Sequence, residues 1–95
     1  MATYLRNHRQ GSSDPIVHIE KESCDLDHQL EALLAWLKQN PHFDFSNGDW
    51  IVDIGFEPRR SADVAGYTIS VELMHLLSVN GIALWLSDYL NEKNA

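Results

Sequence analysis

A chain of 95 residues with 44% apolar side chains is the size of one domain, long enough to bury a modest core and too apolar to stay unfolded. Fourteen acidic against seven basic side chains give a net charge of −7. That balance argues against nucleic acid, whose affinity comes largely from neutralised phosphates, and against an anionic membrane surface, and it suits a basic protein partner.

Residues 1–15 are polar and rich in Ser, Gly, Asn and Gln, and are expected to be a flexible arm ending at the Asp14-Pro15 breaker. The domain is expected over 16–90, with 91–95 a frayed polar tail. Ile16 to Lys21 alternates in polarity as a short strand does. Ser23 and Asp25 are both good helix N-caps, and Leu26, Leu30, Leu33, Leu34 and Leu37 then recur at helical spacing. At 100° per residue these five fall within about 100° of arc, the width of a core-facing stripe, with Asp27, Glu31 and Lys38 off it. Asn40-Pro41 ends this helix.

Asn47-Gly48 is a turn signal, after which Asp49 to Glu57 alternates. Trp50, Val52, Ile54 and Phe56 share one side, and Ile51, Asp53, Gly55 and Glu57 share the other. Residues 58–63 are expected to be a loop and Val64 to Ile69 a returning strand, the two strands forming a hairpin. Ser70 is expected to cap a second helix with Leu73, Met74, Leu76 and Leu77 buried, stopped at Asn80-Gly81. Ile82 to Leu90 is expected to be the last strand. The order is β-α-β-β-α-β, which predicts an α+β, ferredoxin-like domain: a four-stranded antiparallel sheet with two helices on one face and the other face open.

The stretches Leu26-Asp27-His28-Gln29-Leu30-Glu31-Ala32-Leu33-Leu34, Val52-Asp53-Ile54-Gly55-Phe56, Tyr67-Thr68-Ile69-Ser70-Val71-Glu72-Leu73-Met74 and Gly81-Ile82-Ala83-Leu84-Trp85-Leu86-Ser87-Asp88-Tyr89 resemble those of a bacterial family catalogued as domain-of-unknown-function family 4279. The resemblance runs from Leu26 onward, over about two-thirds of the chain. Its motifs are mostly fold signals. The family has no established activity, so the resemblance implies a bacterial source and a fold, and carries over no catalytic residue.

No constellation points to chemistry. Cys24 and His28 are four apart and, with Asp27, form the most metal-like group, but a closed zinc site needs about four ligands and no second pair stands at ligand spacing. These residues are better explained as polar side chains at a helix start. Glu72 and His75 make an i, i+3 pair with no nucleophile beside them, as a solvated helix face would. Asp53 and Glu57 are four apart on a strand, hence about 13 Å apart, too far for a retaining hydrolytic pair. His8, His18 and His42 are scattered. The isolated glycines make no phosphate loop, and no nucleophile elbow or reactive-cysteine motif occurs. No enzyme, cofactor or metal is expected.

The lone Cys24 excludes an internal disulfide. The first ten residues hold no apolar run of the signal-peptide kind, and no stretch nears the roughly 18 apolar residues of a membrane span. The expected location is therefore the reducing cytoplasm. The open sheet face is expected to carry Trp85 and Tyr89, with Ile51, Asp53, Glu57 and His18 around them, and these six are the candidate partner-binding residues. A base-stacking RNA module would use such a face too, but with basic surroundings and a Lys/Arg-Gly-aromatic signature missing here. The expected function is a non-catalytic protein-binding module, in its concrete form a bacterial inhibitor or immunity-type protein neutralising a basic partner. The alternative is a homo-oligomeric structural or small-ligand-sensing domain whose sheets pack face to face through Trp85 and Tyr89.

Overall fold

A computed structural model of the chain describes residues 2–7, 16–46, 48–58 and 66–89. The elements in chain order are β1 (Thr3–Asn7), β2 (Val17–Glu20), α1 (Leu26–Gln39), β3 (Trp50–Phe56), α2 (Val71–Val79) and β4 (Ile82–Asp88). The protein is α+β, and its described residues form two helices and one four-stranded sheet in the order β2-β1-β3-β4. The sheet is mixed: β1 runs antiparallel to β2 and to β3, while β3 and β4 are parallel.

Three expectations are corrected. Thr3–Asn7 lies within the stretch expected to be a loose arm, yet it is an inner strand of the sheet. Thr3, Leu5 and Asn7 are buried while Tyr4 and Arg6 are less so, the alternation that burial of one face imposes. The expected hairpin partner at 64–69 is also absent where it is described. Residues 66–70 are not strand, and 64–65 lie outside the described residues. The physical reason is occupancy, because β3 already has β1 on one side and β4 on the other. A parallel β3–β4 pair requires a crossover rather than a tight turn, so Tyr67 and Ile69 pack against the core on the way to α2. The order is thus ββαβαβ with one parallel pair, and the fully antiparallel ferredoxin-like arrangement does not hold. The stretches 8–15 and 91–95 lie outside the described residues.

The helices begin where their caps require. The Asp25 carboxylate accepts from the His28 amide, and the Ser70 hydroxyl accepts from the Leu73 amide, each satisfying an amide that the helix leaves without a partner. Gly81, at φ +66°, takes the left-handed position after α2.

Both helices bury leucines in one core. Leu26, Leu30, Leu33 and Leu37 of α1 and Leu73 and Leu77 of α2 join Leu5, Trp50, Val52, Ile54, Phe56 and Ile82 of the sheet. The α1 stripe contains a polar member as well. Gln29 is fully buried; it accepts from the Thr3 hydroxyl at 2.7 Å and its amide donates to the Gly55 carbonyl at 2.7 Å. One side chain thereby ties α1 to both inner strands. Between α1 and β3, Phe43 and Phe45 fold back onto Trp36 and Trp50 through edge-on ring contacts, so this connection closes one end of the core.

Candidate functional site

Strand register places the candidate site. Tyr4 stands beside His18 on β2 and Asp53 on β3, and Asp53 stands beside Trp85 on β4. His18, Tyr4, Asp53 and Trp85 therefore form a row across all four strands, on the face opposite the core. At the usual spacing between strands the row is about 14 Å long. A second row on the same face runs Arg6, Ile51, Ala83. A third holds Gly55 and Ser87, and there the Tyr89 ring lies so close that a Cβ on Gly55 would stand 2.6 Å from its Cε2. Glycine at this position lets the ring of Tyr89 lie down on the sheet.

The middle of the face is electrostatically closed. Arg6 donates to Asp53 Oδ2 in an ion pair, and the Ser87 hydroxyl reaches Asp53 Oδ1 at 3.4 Å. Asp53 is only 7% exposed. The Arg6 guanidinium also sits 5.4 Å from the centre of the Tyr4 ring, and that ring is 5.7 Å from the imidazole of His18. The face thus has a neutralised, partly buried charge pair at its centre with aromatic groups around it.

The expected site residues are distributed as follows. Trp85 is 57% exposed and Tyr89 51% exposed, large values for such side chains on a sheet face. His18 is exposed and Ile51 half-buried. Asp53 shares the face but is buried with both oxygens engaged, so it shapes the surface rather than offering a free charge. Glu57 is exposed just beyond β3, its amide donating to the Cys24 carbonyl at 2.9 Å, at the margin of the face. Tyr4, Arg6 and Ser87 complete the surface and were not among the expected residues. The signal for the first two was present as alternation in Thr3-Tyr4-Leu5-Arg6-Asn7, but the Gly- and Ser-rich stretch that follows masks it.

The helix side carries a concavity. A pocket of about 310 Å³ lies between α1 and the start of α2, with Leu30, Leu34 and Leu73 as its apolar walls and Asp27, Glu31 and Ser70 at its polar margin. Beyond it Lys38 of α1 and Glu72 of α2 form an exposed ion pair at 3.3 Å. Among the described residues no group of three or more His, Cys, Asp or Glu is arranged to hold a metal ion, and Cys24 is exposed. Among them, too, no helix is long and apolar enough to cross a membrane. Comparison with protein-family models, with curated proteins and with solved structures finds no match to this chain.

Proposed function

We propose that this protein is a non-catalytic protein-binding module that meets its partner through the open sheet face. The observation that carries the reading is the row His18, Tyr4, Asp53, Trp85, where an internally neutralised Arg6–Asp53 pair has the half-buried Tyr4 beside it and the exposed His18 and Trp85 on either side. Trp and Tyr supply large contact area at small entropic cost and are the commonest interface anchors. A charge pair that is already satisfied adds little desolvation cost when a partner covers it. The net charge of −7 directs the choice towards a basic partner, drawn in by long-range attraction and held by the aromatic centre. An inhibitor or immunity-type protein is the concrete form of this reading.

The test is affinity capture from the native cell, followed by titration of the purified pair with salt. The reading expects a stoichiometric basic partner whose association slows and whose affinity falls as salt rises. It also expects Tyr89→Ala and His18→Ala to weaken binding, and Lys38→Ala, on the helix side, to leave it unchanged. Binding that is insensitive to salt and sensitive only to the helix-side substitution would reject it.

A further inference from the structure

β4 is an edge strand of seven residues, and among the described residues its only ladder partner is β3. The Tyr89 amide donates to the Phe56 carbonyl at 2.9 Å, which fixes the direction of the backbone groups. Backbone groups alternate along a strand, so those of Ala83, Trp85 and Ser87 point to β3. Those of Ile82, Leu84, Leu86 and Asp88 point the other way, to the side on which no described strand pairs with β4. Natural sheets blunt such edges with Lys, Pro, bulges or short strands. The opposite edge fits that rule: β2 has four residues, two of them His18 and Glu20, and its register with β1 is irregular. β4 has no Lys, no Pro and a single charge at its end.

We propose that two copies of this chain pair through β4, antiparallel, about a two-fold axis at Trp85, joining their sheets into one. Only the register centred on Trp85 pairs all seven residues of the strand. It sets Leu84 against Leu86 of the second copy, Ala83 against Ser87, and Ile82 against Asp88. Over residues 83–87 large faces large and small faces small, because Leu84-Trp85-Leu86 reads the same in both directions and is flanked by Ala83 and Ser87. The same register brings outward-pointing backbone groups opposite one another, and Trp85 meets its copy at a non-hydrogen-bonded position, where side chains are closest. No like charges meet: the two Asp88 side chains stand at opposite ends of the ladder, about 20 Å apart by the strand rise.

Side chains support the same contact on both faces. Leu86 is 42% exposed and Met74 of α2 is 50% exposed. Glu72 marks the side of α2 that faces α1 through its ion pair with Lys38. Met74, two residues on, is about 160° away round the helix and so lies on the β4-edge side. The two-fold gathers Leu84, Leu86 and Met74 of both copies beneath the joined sheet, and both Trp85 rings above it. A foreign strand could hydrogen-bond to this edge, but the segment is its own complement, which commits the edge to a second copy.

This inference does not depend on the partner reading, and salt separates the two. Both copies carry −7, so screening tightens self-association while it weakens the capture of a basic partner. The experiment is sedimentation equilibrium of the full chain over a concentration series, with amide hydrogen exchange read residue by residue. The expected result is a reversible dimer in which the Leu84 and Leu86 amides exchange at least about tenfold more slowly than in the dilute monomer. Leu86→Lys should raise the dissociation constant at least about tenfold with an unchanged circular dichroism spectrum, and His18→Glu, on the open face, should leave it unchanged. Three results overturn the proposal: a monomer at all concentrations, a dimer whose Leu84 and Leu86 amides exchange freely, or a dimer disrupted by His18→Glu and not by Leu86→Lys. The exchange measurement on the unaltered chain decides the matter even where a substitution impairs folding.

Discussion

Arg6 on β1 reaches Asp53 on β3 diagonally across the ladder, since the residue directly opposite Arg6 is Ile51 and the one opposite Asp53 is Tyr4. The side chains of Arg6 and Asp53 are 20% and 10% exposed. Removing one partner from a pair this sheltered takes from the other charge its opposite charge, whereas removing both does not. Asp53→Ala should therefore destabilise the fold by about 3 kcal/mol. The double variant Arg6→Leu with Asp53→Leu should cost less than the sum of its singles. Urea unfolding of the four proteins checks this, and strict additivity would show that the two side chains do not act as a pair.

Gln29 supports a second prediction. It is fully buried and joins the Thr3 hydroxyl to the Gly55 carbonyl. Gln29→Leu keeps the volume but leaves both groups without this partner, at a cost of about 1–3 kcal/mol. Adding Thr3→Val removes one of those stranded groups and should recover part of the loss. An unfolding series in which Thr3→Val is equally harmful with or without Gln29 would contradict the coupling.

Burial along α1 orders three substitutions. Leu33 is completely buried, Leu34 is half-buried beside the helix-side pocket, and Glu31 is exposed. Leu33→Ala should cost about 2–5 kcal/mol, as in a well-packed core. Leu34→Ala should cost clearly less, and Glu31→Ala should fall within about 0.5 kcal/mol of zero. Thermal or urea unfolding gives the ranking, and equal effects at Leu33 and Glu31 would overturn the helix phase.

The turn leading into α1 gives a pH dependence. The Glu20 carboxylate accepts from the Glu22 and Ser23 amides, and these, with a smaller contribution from His28, hold its pKa below the ordinary 4.5. A carboxyl depressed in the folded state adds stability above its unfolded value and loses it as the pH falls through the folded one. The Glu20 contribution should thus be full at neutral pH and disappear in the acid range below 4.5. A carboxyl NMR titration should find a depressed midpoint that survives His28→Ala, because the amides are the main cause. A midpoint restored to the ordinary value by His28→Ala would assign the shift to the histidine instead.

The parts of this fold that local pattern controls were legible in the sequence. Five leucines at helical spacing behind Asp25, four apolar side chains alternating from Trp50 to Phe56, and Ser70 with Gly81 bracketing the second helix each carry a local cause, and each element is found where that cause puts it. Pairing was not legible, because it depends on competition between segments distant in sequence. Tyr67 and Ile69 alternate as a strand would, but β1 and β4 hold both sides of β3, so the same apolar side chains serve a crossover. Thr3–Asn7 has only five residues beside a polar stretch, and its strand character comes from two neighbours that no short window contains. The candidate face inherits this division. Trp85 follows from alternation alone, whereas Tyr4 and Arg6, and with them the neutralisation of Asp53, required the position of β1.

Trp85 lies outside the core, and on the function proposed above it anchors the partner on the open face. Trp85→Ala tests it most directly, by thermal unfolding at protein concentrations low enough to keep the chain monomeric, together with the affinity of the captured partner. The expected result is a small change in stability, within about 1 kcal/mol and so a few degrees in Tm, and a loss of binding of about 2 kcal/mol or more, roughly thirtyfold. A loss of stability of about 3–5 kcal/mol with undiminished binding, as a core tryptophan would give, would contradict it.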